Sequence, residues 1–112
     1  PGELHLFYTD NLLSDNWTAH QQNPIVTDRS CARPAGNIYV SKNRIFRPAQ
    51  NCTKHYGYAM KINEITQLNT KNFDEHLHQS ILPDWNKDVF STHTINTSDS
   101  LIVIDAKIKR KR

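Results

Sequence analysis

Glycine and cysteine are scarce in this chain, with three and two copies among 112 residues. Three glycines leave little material for a glycine-rich phosphate loop, and neither a GxSxG elbow nor an HExxH helix is present. Cys31 and Cys52 lack CxxC spacing and are too few for a disulfide framework, so a reduced, buried pair is expected, and with it a cytoplasmic setting. No charged leader precedes an apolar stretch, and no apolar run is long enough to span a bilayer, so neither secretion nor membrane insertion is expected. A hydrophobic fraction of 37% is low for a self-sufficient core, as is a mean hydropathy of −0.70. Ten Phe, Tyr and Trp residues nevertheless keep the chain out of the disordered class.

At this length the chain holds one domain at most. Lys and Arg total 14 against 11 Asp and Glu, a net charge of +3, and much of that excess sits in Lys107-Ile108-Lys109-Arg110-Lys111-Arg112. Such a run reads as a solvated basic tail. Nucleic-acid binding is not expected, because neither an aromatic RNP-like pattern nor a recognition helix accompanies the pI of 9.0.

The local signal is alternation and turn chemistry, which predicts an all-β, antiparallel chain. Glu3 to Thr9 alternates as a strand. Gly36 to Val40 and Arg44 to Arg47 form a hairpin around Ser41-Lys42-Asn43, with Pro48 expected to end the second strand. Tyr58 to Ile65 continues the sheet. Phe73, Leu77 and Ile81 suit a helix face or one side of a strand, and the strand is the reading adopted for Phe73 to Leu82. Val89 to Ile95 and Leu101 to Ile108 flank Asn96-Thr97-Ser98-Asp99 as a second hairpin.

Polar residues interrupt these segments in four groups: Trp17 to Ile25, Arg33-Pro34-Ala35-Gly36, Arg47-Pro48-Ala49-Gln50, and Ser91-Thr92-His93-Thr94, with Tyr56-Gly57 between the last two. Each has a plain explanation. Trp17 and Trp85 are expected to pack in a core, His20 and His93 can bond loop backbone, and Arg33 and Arg47 can bridge carbonyls or carboxylates. His76 and His78 share a strand face without a third ligand nearby in sequence, so no metal is expected there. No pair of carboxylates can be chosen as acid and base by spacing, and a complete catalytic site is not expected.

In order, W-x-x-H-x-x-N-P-I from Trp17, R-P-A-G from Arg33, R-P-A-Q from Arg47 followed by Tyr56-Gly57, and T-H-T ahead of Val103-Ile104-Asp105 form a specific combination. It resembles the five-bladed β-propeller domain at the N-terminal side of plant glucosamine inositolphosphorylceramide transferases, also found with bacterial sugar formyltransferase-like domains. That fold is similar to the furanosidase-type propellers. The resemblance implies about two blades of an incomplete propeller over residues 1–106, followed by the tail at 107–112. One full blade would run from Gly36 to Leu82.

The resemblance further implies a half-site of His20, Arg33, Arg47, Gln50, Tyr56 and His93 facing the propeller axis and binding a sugar or sugar-phosphate, with no cofactor. The expected function is carbohydrate recognition or substrate presentation in glycan or glycolipid biosynthesis. An alternative is a glycosidase- or glycosyltransferase-like propeller whose catalytic carboxylates lie outside this segment, and another is a purely structural segment. Expected partners are the remaining blades, and a second copy through exposed sheet edges.

Overall fold

The computed structural model describes residues 2–109. It is all β: ten strands in four antiparallel sheets. The largest sheet has four strands in the order β3-β4-β5-β6, namely Tyr39–Ser41, Arg44–Asn51, Ala59–Leu68 and Phe73–Ile81. This is the four-stranded unit expected between Gly36 and Leu82. The sheets do not close into a ring among the described residues.

The β3–β4 hairpin turns through Lys42 and Asn43, whose φ values of 50° and 62° belong to a two-residue loop matched to strand twist. Ser41, read from sequence as part of the link, pairs with Arg44 instead. Tyr39 stacks on Phe46 across the ladder, with ring centroids 5.4 Å apart.

Pro48 does not end β4, which continues to Asn51 and pairs with β5 throughout. The reason is the side on which its missing donor falls. The Pro48 carbonyl accepts from Ala35 N–H at 3.1 Å, so its nitrogen also faces residues 33–35 rather than β5. The Ala35 carbonyl that would have faced that donor accepts instead from Ile95 N–H at 2.9 Å. No group is orphaned, and the proline is tolerated inside a sheet.

β6 is a strand, but bulged. Ile62 pairs with Gln79 and Asn63 with Leu77, which leaves His78 as the extra residue. The slip puts Leu77 and Ile81 on opposite faces. Ile81 packs against the core, whereas Leu77 is exposed. That core is Ala35, Phe46, Met60, Ile62 and Ile95, a small cluster on one face of the sheet.

Short sheets flank it. β1 (Phe7–Tyr8) pairs with β2 (Thr18–Ala19), so the strand expected over Glu3 to Thr9 contracts to two residues and a bridge from Leu4 to Val26. Between them Asn23 replaces the ladder, accepting from Leu6 N–H and donating to the Leu6 carbonyl, both at 2.8 Å. The Asn23–Pro24 peptide is cis. Trp17 and Trp85, expected in the core, are 49% and 51% exposed because the segments carrying them lie outside the large sheet.

The last hairpin is broken in two. β8 (Ile95–Ser98) pairs with β9 (Leu101–Ile104), so Asn96 to Ser98 are strand rather than turn. Further out, β7 (Val89–Ser91) pairs with β10 (Lys107–Ile108). Residues 92–94 and 105–106 separate the two ladders. Lys107 and Ile108 thus belong to a strand, while Arg110, Lys111 and Arg112 of the predicted tail lie outside the described residues.

On the sheet face near β6, Arg44 grips Glu64 with two bonds of 2.9 and 2.8 Å, and His76 approaches the same carboxylate at 3.2 Å. Glu64 is the third side chain beside His76 and His78 that the sequence did not offer, but Arg44 occupies both its oxygens. Among the described residues no three His, Cys, Asp or Glu side chains are set to hold a metal. The Arg44 bonds pull the Glu64 carboxyl from 4.5 to about 2. A depressed carboxyl contributes stability in full above its unfolded value, and that contribution is lost as pH falls through the folded value. Arg44→Gln is therefore expected to melt slightly below wild type at pH 7, the gap closing as pH falls through about 2, as thermal melts at stepped pH would show.

Candidate functional site

Of the six residues proposed from sequence, three have their polar atoms consumed inside the fold. His20 is buried, with Nε2 2.8 Å from the Asn69 carbonyl and Nδ1 accepting from Gln22 N–H at 3.1 Å. Gln50 is buried and donates to the Pro34 carbonyl at 3.3 Å, while its Oε1 faces the Cys52 thiol. Arg47 is buried against Glu75 with two bonds of 2.8 and 2.6 Å, and it also donates to the Cys31 carbonyl at 2.6 Å.

The other three meet at the surface. The Arg33 guanidinium lies over the Tyr56 ring, 4.9 Å from its centroid. Tyr56 sets its ring edge-on to the His93 imidazole at 5.8 Å. Arg33 arrives from the segment between β2 and β3, Tyr56 from the β4–β5 connection, and His93 from the break between β7 and β8. Gly57 suits this turn because its φ is +76°, a conformation that favours glycine, while a Cβ there would meet His93 only at ordinary contact distance, 3.6 to 3.7 Å.

Asp105, named in the sequence only as the end of an apolar run, organises this cluster. Its Oδ1 accepts from the backbone N–H groups of His93 and Thr94, both at 2.9 Å, and its Oδ2 lies 2.5 Å from His93 Nδ1. Thr92 Oγ1 donates to the Asp105 carbonyl at 2.7 Å. These bonds satisfy the backbone where the ladder breaks. Burial alone would raise the Asp105 carboxyl, but the two N–H groups and the His93 ring outweigh it and hold it below the usual carboxylate value. A carboxylate at Nδ1 fixes the ring and its Nδ1 proton, leaving Nε2 without a partner among the described residues.

A cleft of about 310 Å³ opens here, lined by His55, Tyr56, Phe90, Ser91, His93 and Lys107 among others. The opposite sheet face carries a second cleft near Cys31, Lys61 and Asn63. Burial pushes the Cys31 thiol up, the charge of Asp28 adds to this, and a thiolate nucleophile is disfavoured. Both cysteines are free, Cys52 buried and Cys31 partly so.

These features define an all-β domain of antiparallel sheets with an aromatic, histidine-bearing cleft where the β7–β10 ladder meets the β4–β5 connection. The chain belongs to the family described as glucosamine inositolphosphorylceramide transferase 1, N-terminal, whose model matches residues 1–96. It is 33% identical over 75 residues to glucosamine inositolphosphorylceramide transferase 1 of Oryza sativa subsp. japonica, which covers 65% of this chain and 10% of that protein. The protein of the same name from Arabidopsis thaliana is 26% identical over 76 residues, again 10% of its length. The chain thus spans about a tenth of the curated relatives it matches. No solved structure matches it.

Proposed function

We propose that the chain is a carbohydrate-recognition portion of a propeller domain serving glycan or glycolipid biosynthesis, and that its ligand sits in the cleft between Tyr56 and His93. The observation that carries this reading is the meeting of three separate segments, with Tyr56 and His93 on the lining of one cleft and Arg33 against the Tyr56 ring. A half-exposed aromatic ring beside oriented donors is a common way to hold a sugar, the ring covering an apolar face and the polar groups fixing hydroxyls. The transferase names of the relatives supply the biosynthetic context. The remainder of the propeller, or a second copy of this chain, would cover β9, whose Leu101, Ile102, Val103 and Ile104 are all exposed.

Arg33→Ala and His93→Ala test the reading. Each is expected to weaken binding of a retained sugar ligand about 10- to 100-fold, the worth of one charge-assisted hydrogen bond, with Tm unchanged for Arg33→Ala. Loss of folding in Arg33→Ala, with no ligand bound by the wild type, would make the cluster a structural pin. A second reading, a glycosidase- or glycosyltransferase-like propeller, draws on the His93–Asp105 pair, since a carboxylate-oriented imidazole can move protons. Hydrolysis of an activated glycoside that is abolished by Asp105→Asn would favour it.

A further inference from the structure

We propose that the Tyr56–His93 cleft is an anion site that seats the phosphate of a phosphorylated sugar, with Lys107 and Arg33 as the recognising charges. The inference rests on the reading of this cleft as a sugar site and narrows its ligand class. It starts from where the cations have partners. Among the described residues, Arg44 and Arg47 are each paired with a carboxylate, Glu64 and Glu75. The nine other described Lys and Arg residues form no ion pair within 4.0 Å, and of these Arg33, Lys54, Lys107 and Lys109 lie over aromatic rings.

Those four gather around one group of rings. Arg33 lies over Tyr56 at 4.9 Å, Lys54 over Tyr58 at 4.9 Å, and Lys107 and Lys109 over Phe90 at 5.3 and 5.7 Å. His55 bridges Tyr58 and Phe90, with centroid distances of 5.5 and 6.5 Å. A ring face positions a cation without neutralising it, so Lys107 on the cleft lining and the three cations over neighbouring rings keep their positive charge.

The acceptors are arranged the opposite way. Asp105 is the one carboxylate lining the cleft, and its oxygens already take two backbone N–H groups and His93 Nδ1. A neutral sugar needs acceptors for its hydroxyl protons as well as donors, and this cleft has spent its strongest acceptor on its own backbone. A phosphate needs donors and positive charge only. Lys107 supplies a point charge on the lining, Arg33 a planar donor set against the ring of the lining residue Tyr56, and His93 Nε2 a ring nitrogen with no partner among the described residues. Field focusing between low-dielectric aromatic walls would strengthen the attraction.

The test is titration of the isotope-labelled chain, followed at the His93 ring resonances, with inorganic phosphate, glucose 1-phosphate and glucose. Phosphate and glucose 1-phosphate are expected to shift His93 and to compete, with glucose 1-phosphate the tightest and glucose at least about tenfold weaker. Lys107→Gln should weaken phosphate binding about tenfold with Tm unchanged, and Lys107→Arg should restore it. Glucose binding as tightly as glucose 1-phosphate, with phosphate moving nothing at His93, overturns the anion site and leaves the sugar reading standing. Phosphate binding as tightly as glucose 1-phosphate sustains the anion site and defeats the sugar reading. No shift at His93 with any of the three, or a phosphate shift indifferent to Lys107→Gln and Arg33→Gln, overturns the inference.

Discussion

Arg47→Ala is expected to destabilise the chain by about 3–5 kcal/mol, the usual consequence of leaving one member of a buried ion pair uncompensated. The Arg47 and Glu75 side chains are 4% and 8% exposed, and the guanidinium also holds the Cys31 carbonyl of the loop that covers this sheet face. Its removal strands Glu75, and Asn63 Nδ2, 3.0 Å from Glu75 Oε1, offers only a neutral donor. The double change Arg47→Met with Glu75→Leu should recover part of the loss, because the charge and its partner leave together. Recovery is incomplete because Asn63 then loses its acceptor. Urea melts of wild type, single and double variants at constant m measure this. A loss under about 1 kcal/mol for Arg47→Ala would mean that water reaches the pair.

Gly36→Ala is expected to be comparably damaging for a different reason. A Cβ at Gly36 would stand 1.8 Å from the Ile95 carbonyl oxygen and 2.9 Å from its carbon, both backbone atoms that a rotamer change cannot move. The neighbouring Ala35 carbonyl takes the Ile95 N–H, and Ala35 and Ile95 both belong to the core. Backbone must therefore separate exactly where β8 docks on the large sheet. The expected cost is on the order of 3 kcal/mol, the upper range for overpacking a close contact. Near-UV circular dichroism should show loosening around Tyr39 and Phe46 before far-UV signal changes. An alanine variant melting with wild type would overturn the assigned contact.

The sheet was legible where alternation and turn residues agreed, and this held for β3 to β6. Pro48 misled because a proline breaks a strand only if its missing donor faces a partner strand, and which side it faces depends on register. The bulge at His78 was likewise hidden, since one inserted residue leaves composition and approximate alternation intact. Among the candidate site residues, Arg33, Tyr56 and His93 could be named but not grouped, because they lie on three segments separated by up to 60 positions. His20, Gln50 and Arg47 carry the same chemistry and differ only in what surrounds them. Asp105 offered one faint signal, a lone acid closing an apolar strand after T-H-T. Its value lies in a break between two ladders that no local pattern reports.

That break also divides the chain in time. β4 and β5 are laddered on both sides, so their amide protons should be the last to exchange with solvent, while the β7–β10 pair holds on through few bonds, among them Thr92 N–H to the Tyr58 carbonyl at 3.3 Å. Tyr56 and His93 stand on opposite sides of this joint. A ligand seated in the cleft as proposed would therefore slow local opening of the C-terminal strands as a direct consequence of binding, and mutations that loosen that joint would cost affinity even where they touch no ligand.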